Sequence, residues 1–360
     1  MEKIKVLHQV LDPSGIGGVS TEFRALQNSE LSEKYEFSSM VLMDWHRGVN
    51  LHDVRFYYKK IKEIRPDIIH IRGAALDGLN AVIAAKLYGK AKIFVAVHGM
   101  YSDKVFISLA KRWVSEHVVE RLTFGMADGI SCVCKRITDR TYFDKYRKKM
   151  LPFVYNRMPH YNNENAQKHR NEIRSKYGIA ESAIVGLFLG RITKEKGIDN
   201  MIISLDRISR EAQENFVLLM VGDGDYLHAC METCKDKIYK VIFTGSQVDT
   251  EKFYHAADFF IMPSLHENHS ISLLEACAAQ LPSIATDCGG NAETITTGKT
   301  GLIVPVGSVS QMVGAILRML DYSERAKFKK CLATEDFSRF SNEECDKALD
   351  SAYESILKNS

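Results

Sequence analysis

The stretch that decides the fold runs from Asp258-Phe-Phe-Ile-Met-Pro263 to Glu267-Asn-His-Ser-Ile-Ser-Leu-Leu-Glu275. An apolar run typical of a strand comes first, a loop carrying Glu267 follows, and Glu275 stands inside a helix-like run at 273–279. In α/β enzymes this order brings polar side chains to the carboxyl edge of a parallel sheet, where ligands bind. The two carboxylates therefore predict a site in which one acid faces a reacting centre and the other holds a hydroxyl-rich ligand.

A purely structural interpretation of the same residues competes with this one. Ser272 and Glu275 stand three residues apart at the start of an apolar run, a spacing that also predicts a capping box. Glu267 would then be an ordinary loop acid. The rest of the chain has to decide between the two interpretations.

Apolar runs alternate with helical patterns along most of the chain, which predicts parallel strands joined by crossover helices. The predicted strands are Lys5–Val10, Phe37–Met43, Ile68–Ile71, Ile93–Val97, Gly129–Val133, a further candidate at Met150–Val154, and then Ile184–Leu189, Phe216–Val221, Val241–Thr244, Phe259–Met262, Ser283–Thr286 and Gly301–Val304. A polar segment, Tyr161–Arg170, lacks apolar periodicity and is predicted to be a linker.

This pattern predicts an α/β chain of two tandem Rossmann-like, doubly wound domains facing a cleft. We expect an N-terminal domain over residues 1–160, a C-terminal domain over 161–341, and a last helix at 342–360 that crosses back to the first domain.

The composition is that of an ordinary soluble protein, with 45% hydrophobic and 26% charged residues in 360. Charge is unevenly distributed: residues 1–150 carry a net +8 and residues 151–360 a net −5. A basic first half suggests an anionic partner. The basic and aromatic segment Tyr142–Lys149, with Lys104, Lys111, Arg112 and Trp113, fits an anionic membrane surface and a solvated helix face equally well. Nucleic acid is disfavoured because no recognition motif accompanies the charge.

The eight cysteines match no zinc-finger or disulfide spacing, which favours free thiols in a reducing cytosol. The N-terminal residues enter a strand at once, so no signal peptide is indicated. No apolar run approaches the ~20 residues that span a bilayer. We therefore expect a cytoplasmic protein, with peripheral contact at the inner face of the membrane as an option.

A glycine-rich loop, Gly15-Ile-Gly17-Gly18, follows the first predicted strand. Glycines there let the backbone approach a phosphate or sugar, and the next helix offers N–H groups to an anion. A dinucleotide fingerprint is a weaker interpretation because the third glycine is missing. A plain glycine turn is the third.

Three further strand ends carry candidate residues. His98 ends a strand and is followed by Gly99, so it either touches a ligand or is a structural histidine. Arg191 and Lys196, on a loop between Gly190 and Gly197, can converge on a diphosphate. Gly222-Asp-Gly224-Asp225 fits a turn beside a ligand, and the paired aspartates lack a third oxygen ligand for a hard cation.

These pieces occur in one order, and together the chain resembles the retaining glycosyltransferases of the GT-B type in family 4. The residues that carry the resemblance are Gly17-Gly18-Val19, His98, Gly190-Arg191, Lys196-Gly197, Val221-Gly-Asp-Gly224, Glu267-x7-Glu275-Ala276 and Gly289-Gly290-x2-Glu293. The resemblance is specific over residues 184–305 and weaker over 1–150. Asn268-His269-Ser270 stands where the family often has Gly-Phe-Gly.

The resemblance implies a role for each matched residue. Arg191 and Lys196 would neutralise the departing diphosphate, and Glu275 would hold the ribose hydroxyls. The donor sugar would be held by Glu267 and by the backbone N–H groups of Asn268, His269, Ser270 and Ile271. Gly17, Gly18 and Gly222 would approach the donor, and His98 would contact the sugar near its anomeric carbon. No cofactor and no metal are implied.

The expected function is transfer of a sugar from a UDP- or GDP-linked donor to a glycan or lipid-linked acceptor in cell-surface polysaccharide or glycolipid synthesis. A nucleotide-sugar 2-epimerase has the same two-domain layout and remains an alternative. So does a binding module for nucleotide sugars or membranes that has lost turnover. A dehydrogenase is a more distant one.

Overall fold

The computed structural model describes residues 2–10, 18–42 and 48–358, without the side chains of residues 18–21. The chain divides into two compact units. The first contains the residues up to Arg157 and those from Ser338 onward, and the second is Met158–Phe337. Gly17, predicted to bind substrate, lies outside the described residues.

The first unit is built on a five-stranded parallel sheet. Its strands are β1 (Ile4–Val10), β2 (Tyr35–Val41), β3 (Ile68–Arg72), β4 (Lys92–Val97) and β5 (Gly129–Cys132), in the order β2-β1-β3-β4-β5. The helices that follow the strands are α1 (Gly18–Gln27), α2 (Leu31–Lys34), α3 (Leu51–Ile64), α4 (Leu76–Tyr88), α5 (Leu109–Val114), α6 (Glu120–Met126) and α7 (Lys135–Thr138). Strands β3 and β5 are buried along their full length, as expected when helices cover both faces of a parallel sheet.

The second unit has a six-stranded parallel sheet in the order β11-β10-β9-β6-β7-β8. Its strands are β6 (Ile184–Leu189), β7 (Phe216–Val221), β8 (Lys240–Phe243), β9 (Phe259–Met262), β10 (Ser283–Thr286) and β11 (Gly301–Val304). Its helices are α8 (Ala166–Lys176), α9 (Ile198–Leu205), α10 (Arg210–Glu214), α11 (Leu227–Cys234), α12 (Glu251–Ala256), α13 (Ile271–Ala278), α14 (Asn291–Thr294), α15 (Val309–Leu320) and α16 (Tyr322–Leu332). The strand order reverses between β6 and β9, so their carboxyl ends flank the switch point where such sheets bind ligands.

The last helix, α17 (Asn342–Lys358), belongs to the first unit. Its apolar face packs beside the buried side chains of Val6 and Phe94. Tyr353 is fully buried on that face, and its hydroxyl lies 2.6 Å from Nδ1 of His70. Helical spacing of apolar residues in the sequence therefore marks the face that the first unit covers.

Two predictions of secondary structure are wrong. The segment Met150–Val154 runs beside β5 but is not a strand, because its register slips after the single bridge between Met150 and Ile130: Leu151 N–H donates to the Ile130 carbonyl at 2.8 Å, and the next donor, to the Cys132 carbonyl at 2.9 Å, is Val154. The predicted linker Tyr161–Arg170 contains the start of α8, whose surface is largely polar and whose anchor is ionic. Ile173 is the one apolar side chain that this helix buries, and its neighbour Arg174 donates to Asp258 Oδ2 at 2.8 Å. A single buried apolar residue leaves no apolar periodicity in the sequence.

Among the described residues, no helix combines the length and the apolar character needed to cross a membrane.

Candidate active site at the sheet edges

Three adjacent strands of the second unit, β9, β6 and β7, carry the predicted loops at their carboxyl ends. Arg191 and Lys196 follow β6, Gly222 follows β7, and Glu267 follows β9. Because the strands are parallel neighbours, the three loops lie on one edge of the sheet. Sequence-distant residues are thus brought to one edge, as predicted.

Lys196 and Glu267 form an ion pair at this edge. Lys196 Nζ donates to Glu267 Oε1 at 2.5 Å, and Ser264 Oγ donates to the same oxygen at 2.9 Å. Both charged side chains are largely buried, with 21% and 13% of their surfaces exposed. Partly buried, charge-assisted pairs are stronger than pairs on the surface, so this pair orients both groups.

Backbone packing explains why these two side chains meet. Gly197 adopts φ +65°, and a Cβ at this position would lie 2.0 Å from the carbonyl oxygen of Pro263. Leu265 N–H also donates to the Glu195 carbonyl at 2.9 Å. The loops after β6 and β9 are therefore in direct backbone contact, which only glycine permits at position 197.

Gly222 serves a similar packing role. It adopts φ +139°, and a Cβ there would lie 1.9 Å from the carbonyl oxygen of Gly190. The glycine that the sequence suggested for close approach to a ligand is thus required by close approach to the neighbouring loop.

Arg191 differs from Lys196 in being exposed. Within the described ranges its guanidinium has no hydrogen-bond or ion-pair partner. An unpaired, always charged guanidinium beside a largely neutralised ammonium gives this loop a net positive charge, which suits an anionic ligand.

Glu275 lies in α13 and is held by hydroxyl groups. Tyr254 donates to Glu275 Oε2 at 2.8 Å, and Thr250 Oγ1 is 3.4 Å from Oε1. Burial raises the pKa of Glu275, while hydrogen bonds from Tyr254, Tyr161 and Thr250 oppose that rise. The carboxylate is therefore positioned by its neighbours before any ligand is considered.

The capping-box interpretation of Ser272 and Glu275 is wrong. Helix α13 is capped by Ser270, whose side chain accepts a hydrogen bond from Leu273 N–H at 3.3 Å. The cap stands two residues earlier than predicted because the helix already begins at Ile271. Glu275 is thereby released from the capping role.

Asn268 and His269 are directed into the second unit and are only 5% exposed each. The Asn268 carbonyl accepts from Gly290 N–H at 2.6 Å, and His269 Nε2 lies 3.3 Å from Thr294 Oγ1. The bulky residues that stand where related sequences often have Gly-Phe-Gly are therefore packed inside the unit.

In the first unit, His98 directly follows β4, and Arg72 ends the neighbouring strand β3. Arg72 Nη1 donates toward His98 Nε2 at 3.4 Å. Burial, with the charge of Arg72 as a second cause, lowers the pKa of His98 to about 3. His98 is consequently a neutral imidazole near pH 7. Gly18 begins α1.

A cavity of about 30 Å³ opens beside these residues, lined by Arg72, His98, Arg157 and Glu22 among others. Arg157 is paired with Glu22 Oε2 at 2.5 Å and with Asp346. Arg72 is only 4% exposed and has nitrogen partners, His98 and His8, but no carboxylate partner among the described residues.

Sequence reasoning missed Ser264, Tyr254, Thr250 and Arg72. Arg72 could have been found, because it directly follows the predicted strand Ile68–Ile71 as His98 directly follows Ile93–Val97. Ser264, Tyr254 and Thr250 carry no local signal, since their role depends on which carboxylate folds against them. The group His169, Glu251 and His255, the one set in the described part of the chain that could hold a metal, shares no member with these positions.

Two family models match the chain. The model for glycosyl transferases group 1 matches residues 169–331, and the model for glycosyltransferase family 4 matches residues 26–148. Together they span most of the sequence. The chain belongs to the family 4, group 1 glycosyltransferases.

Several characterised proteins resemble this glycosyltransferase. The alpha-monoglucosyldiacylglycerol synthase of Streptococcus pneumoniae is 28% identical over 304 residues, which cover 75% of this chain and 68% of the relative. The N-acetyl-alpha-D-glucosaminyl L-malate synthase of Bacillus anthracis is 24% identical over 299 residues, covering 81% and 76%.

Solved structures share the fold of this glycosyltransferase. The sucrose-phosphate synthase of Thermosynechococcus elongatus has a TM-score of 0.80 at 18% identity and covers 99% of this chain and 100% of its own. Anabaena HepE, in complex with UDP and glucose, has a TM-score of 0.78 at 15% identity and covers 98% and 100%. The two-sheet α/β architecture is therefore that of GT-B glycosyltransferases, as predicted.

Proposed function

We propose that this glycosyltransferase transfers a sugar from a UDP- or GDP-linked donor to a glycan or lipid-linked acceptor with retention of anomeric configuration. The observation that carries the proposal is the Lys196–Glu267 pair beside the unpaired Arg191, at the carboxyl ends of β6 and β9. The two cations, Arg191 and Lys196, suit the negative charge of a leaving diphosphate. The carboxylate of Glu267 suits the hydroxyl groups of a sugar.

The chemistry assigned to the second unit is electrostatic. Arg191 and Lys196 stabilise the negative charge that develops on the diphosphate as the bond to the anomeric carbon breaks, which is where fixed positive charge has the largest effect. Glu267 accepts hydrogen bonds from sugar hydroxyls while its contacts with Lys196 and Ser264 hold its carboxylate in place. Backbone N–H groups at 268–271 help to hold the sugar.

The nucleotide is assigned to Glu275. Its carboxylate, fixed by Tyr254, accepts hydrogen bonds from the two ribose hydroxyls. Gly222 and Gly18 are assigned to close backbone approach to the donor. His98, neutral near pH 7, is assigned to a hydrogen bond with a sugar hydroxyl and not to proton transfer.

In the proposed reaction the acceptor oxygen bonds to the anomeric carbon on the face that the diphosphate leaves. The proton of the acceptor hydroxyl passes to an oxygen of the departing diphosphate. No side chain has to act as a nucleophile, and we propose that no metal ion takes part because Arg191 and Lys196 supply the positive charge.

The nature of the substrates is supported by the relatives. HepE of Anabaena binds UDP and glucose. A GDP-mannose-dependent mannosyltransferase of Mycobacterium tuberculosis acts on a phosphatidylinositol monomannoside and is 34% identical over 168 residues, 44% of this chain. We therefore propose a glycolipid or cell-surface glycan as the product.

Contact with an anionic membrane is part of the proposal. In the segment around α5, Phe106, Leu109 and Trp113 are 58%, 79% and 58% exposed, close in sequence to Lys104, Lys111 and Arg112. Exposed apolar side chains among cations suit a lipid interface. The basic segment Tyr142–Lys149 supports membrane contact less, because Phe143 is fully buried and Tyr142 packs against the core.

A donor screen with product analysis tests the proposal. The protein is incubated with UDP-glucose, UDP-galactose, UDP-N-acetylglucosamine or GDP-mannose, with and without a lipid-linked acceptor, in the presence of EDTA. We expect one donor to yield a product whose anomeric proton has the coupling constant of the retained configuration. Epimerised nucleotide sugar without acceptor would identify the epimerase instead, and an inverted product would exclude retention.

A further inference from the structure

A cluster of two imidazoles and one carboxylate lies in the second unit and includes neither Lys196 nor Glu267. His169 stands on α8, and Glu251 and His255 stand one turn apart on α12. One ligand atom from each of the three residues lies within 4.8 Å of the others. Two histidines and a glutamate are a ligand set that suits Zn²⁺.

The protonation of His255 follows from its neighbours. Asn163 Nδ2 donates to the Ala278 carbonyl at 3.0 Å, which turns Asn163 Oδ1 toward His255 Nε2, also at 3.0 Å. An amide oxygen can only accept, so the ring proton of neutral His255 is on Nε2. Nδ1 of His255 therefore presents a lone pair.

That lone pair faces a second imidazole nitrogen. His169 Nδ1 lies 2.9 Å from His255 Nδ1, and the ring centroids are 5.2 Å apart, so the two rings meet edge to edge with their Nδ1 atoms pointing at each other. A proton on one Nδ1 or a metal ion between the two can join them. Tetrahedral Zn²⁺ with Zn–N bonds of about 2.0–2.1 Å needs nitrogens about 3.3 Å apart, so the nitrogens have to separate by a few tenths of an ångström and each ring has to turn by roughly 35° for its lone pair to face the ion.

The third ligand is held in the same way as the second. Glu251 Oε1 accepts from Asn162 N–H at 2.9 Å, which fixes the carboxylate and leaves Oε2 for a metal. Asn163 and Asn162 thus form the outer layer of hydrogen bonds that orients ligands in metal sites. The negative charge of Glu251 favours a cation beside His255, whereas the positive charge of Lys329 disfavours one.

We propose that His169 Nδ1, His255 Nδ1 and Glu251 bind one divalent transition-metal ion, with Zn²⁺ as the best match, and that the ion joins α8 to α12. The site is structural and makes no use of the sugar-transfer chemistry. His255 directly follows Tyr254, whose hydroxyl donates to Glu275. An ion that fixes α12 would therefore also steady the hydroxyl that positions this carboxylate.

The test measures binding of the metal alone to the full chain after treatment with a chelator. Calorimetry with Zn²⁺ and visible spectroscopy with Co²⁺ are applied to wild-type protein and to His169→Gln, Glu251→Gln and Asn163→Ala. His169 and Glu251 are partly exposed, so these variants are expected to fold, and circular dichroism checks that they do. His228→Gln is the matched control, because His228 is an exposed histidine on α11, outside the cluster.

We expect one Zn²⁺ per chain, a Co²⁺ spectrum without thiolate charge-transfer bands, and a rise in melting temperature on adding Zn²⁺. Asn163→Ala should weaken binding about 10–100-fold, as loss of an outer-layer partner does, and His169→Gln should weaken it more. His228→Gln should bind as wild type does. Absence of stoichiometric binding, equal affinity in His169→Gln, or thiolate bands from Cys230 and Cys234 would overturn the proposal.

Discussion

Lys196 and Glu267 are bonded to each other, with Nζ and Oε1 2.5 Å apart, although the sequence suggested separate ligands for them. The lysine was expected to meet a diphosphate and the glutamate a sugar. In the structure each group is the other's electrostatic partner, so neither can be altered without affecting the other.

A double-mutant cycle on this pair should be non-additive. Lys196→Met alone should lower kcat/KM about 10–150-fold, the effect of losing one charge-assisted bond of about 1.5–3 kcal/mol. Combining it with Glu267→Gln should reveal a coupling energy of about 0.5–3 kcal/mol. Lys194→Met is the control, since Lys194 is exposed in the same turn and contacts Tyr226 instead. Additive losses for Lys196 and Glu267 would show that the pair does not act as a unit.

Substitution of Glu275 should separate stability from function. The pKa of Glu275 is raised by burial, so its ionised form is disfavoured in the folded chain and costs stability at neutral pH. Glu275→Gln should therefore raise the melting temperature at pH 7, by about 2–4 °C if the gain is ~1 kcal/mol, while weakening nucleotide binding.

The gain from Glu275→Gln should shrink as the pH falls through the raised pKa, because the wild-type carboxyl then takes up a proton and becomes neutral as well. Melting curves from pH 7 to pH 4 check this. A gain that does not depend on pH would contradict the assigned cause.

His98 should not produce the pH dependence of activity. Its pKa of about 3 keeps it neutral from pH 5 to 8, so His98→Gln should lower kcat without changing the shape of the pH–rate profile in that range. The folded state binds fewer protons here than the unfolded state, so the contribution of His98 to stability is lost as the pH falls from about 6.5. His98→Gln should flatten that loss in acid unfolding measurements. An inflection near pH 6.5 in the pH–rate profile of the wild-type protein that disappears in His98→Gln would refute the prediction that His98 stays neutral during activity.

Replacement of Arg157 by methionine should lower the free energy of unfolding, whereas replacement of Arg72 by methionine should not. Arg157→Met leaves Glu22 and Asp346 without their shared cation and should cost about 3–5 kcal/mol, as breaking a buried ion pair does. Arg72→Met removes a buried cation without a carboxylate partner in the described chain. It should be neutral or stabilising. Urea unfolding of both variants is the measurement, and equal destabilisation would contradict the contrast.

Membrane contact should depend on the apolar side chains around α5. Each of Leu109→Ala and Trp113→Ala should weaken co-sedimentation with phosphatidylglycerol vesicles by about tenfold, the order expected for losing the burial of one large apolar side chain at about 1.5–3 kcal/mol. Leu87→Ala is the control, because Leu87 is 66% exposed at the end of α4. An equal effect of all three substitutions would mean that the segment around α5 has no special part.

Secondary structure was predictable where buried strands left a local pattern. The strands Phe216–Val221 and Phe259–Met262 were predicted with the observed bounds, since β-branched and aromatic runs between turn residues carry that information. Helix α8 was not predicted from the sequence, because the ion pair of Arg174 with Asp258 joins it to the sheet. That contact is between residues far apart in sequence.

By itself the sequence determined the fold class and the strand ends on which Arg191, Lys196, Glu267 and His98 stand, because the alternation of strands and helices dictates which side of a parallel sheet each loop occupies. Only the tertiary structure decided what these side chains touch. The Lys196–Glu267 pair, the hydroxyl of Tyr254 on Glu275 and Arg72 beside His98 depend on distances of a few ångströms between loops. Electrostatic and hydrogen-bond energies change steeply over such distances, and spacing along a chain cannot specify them.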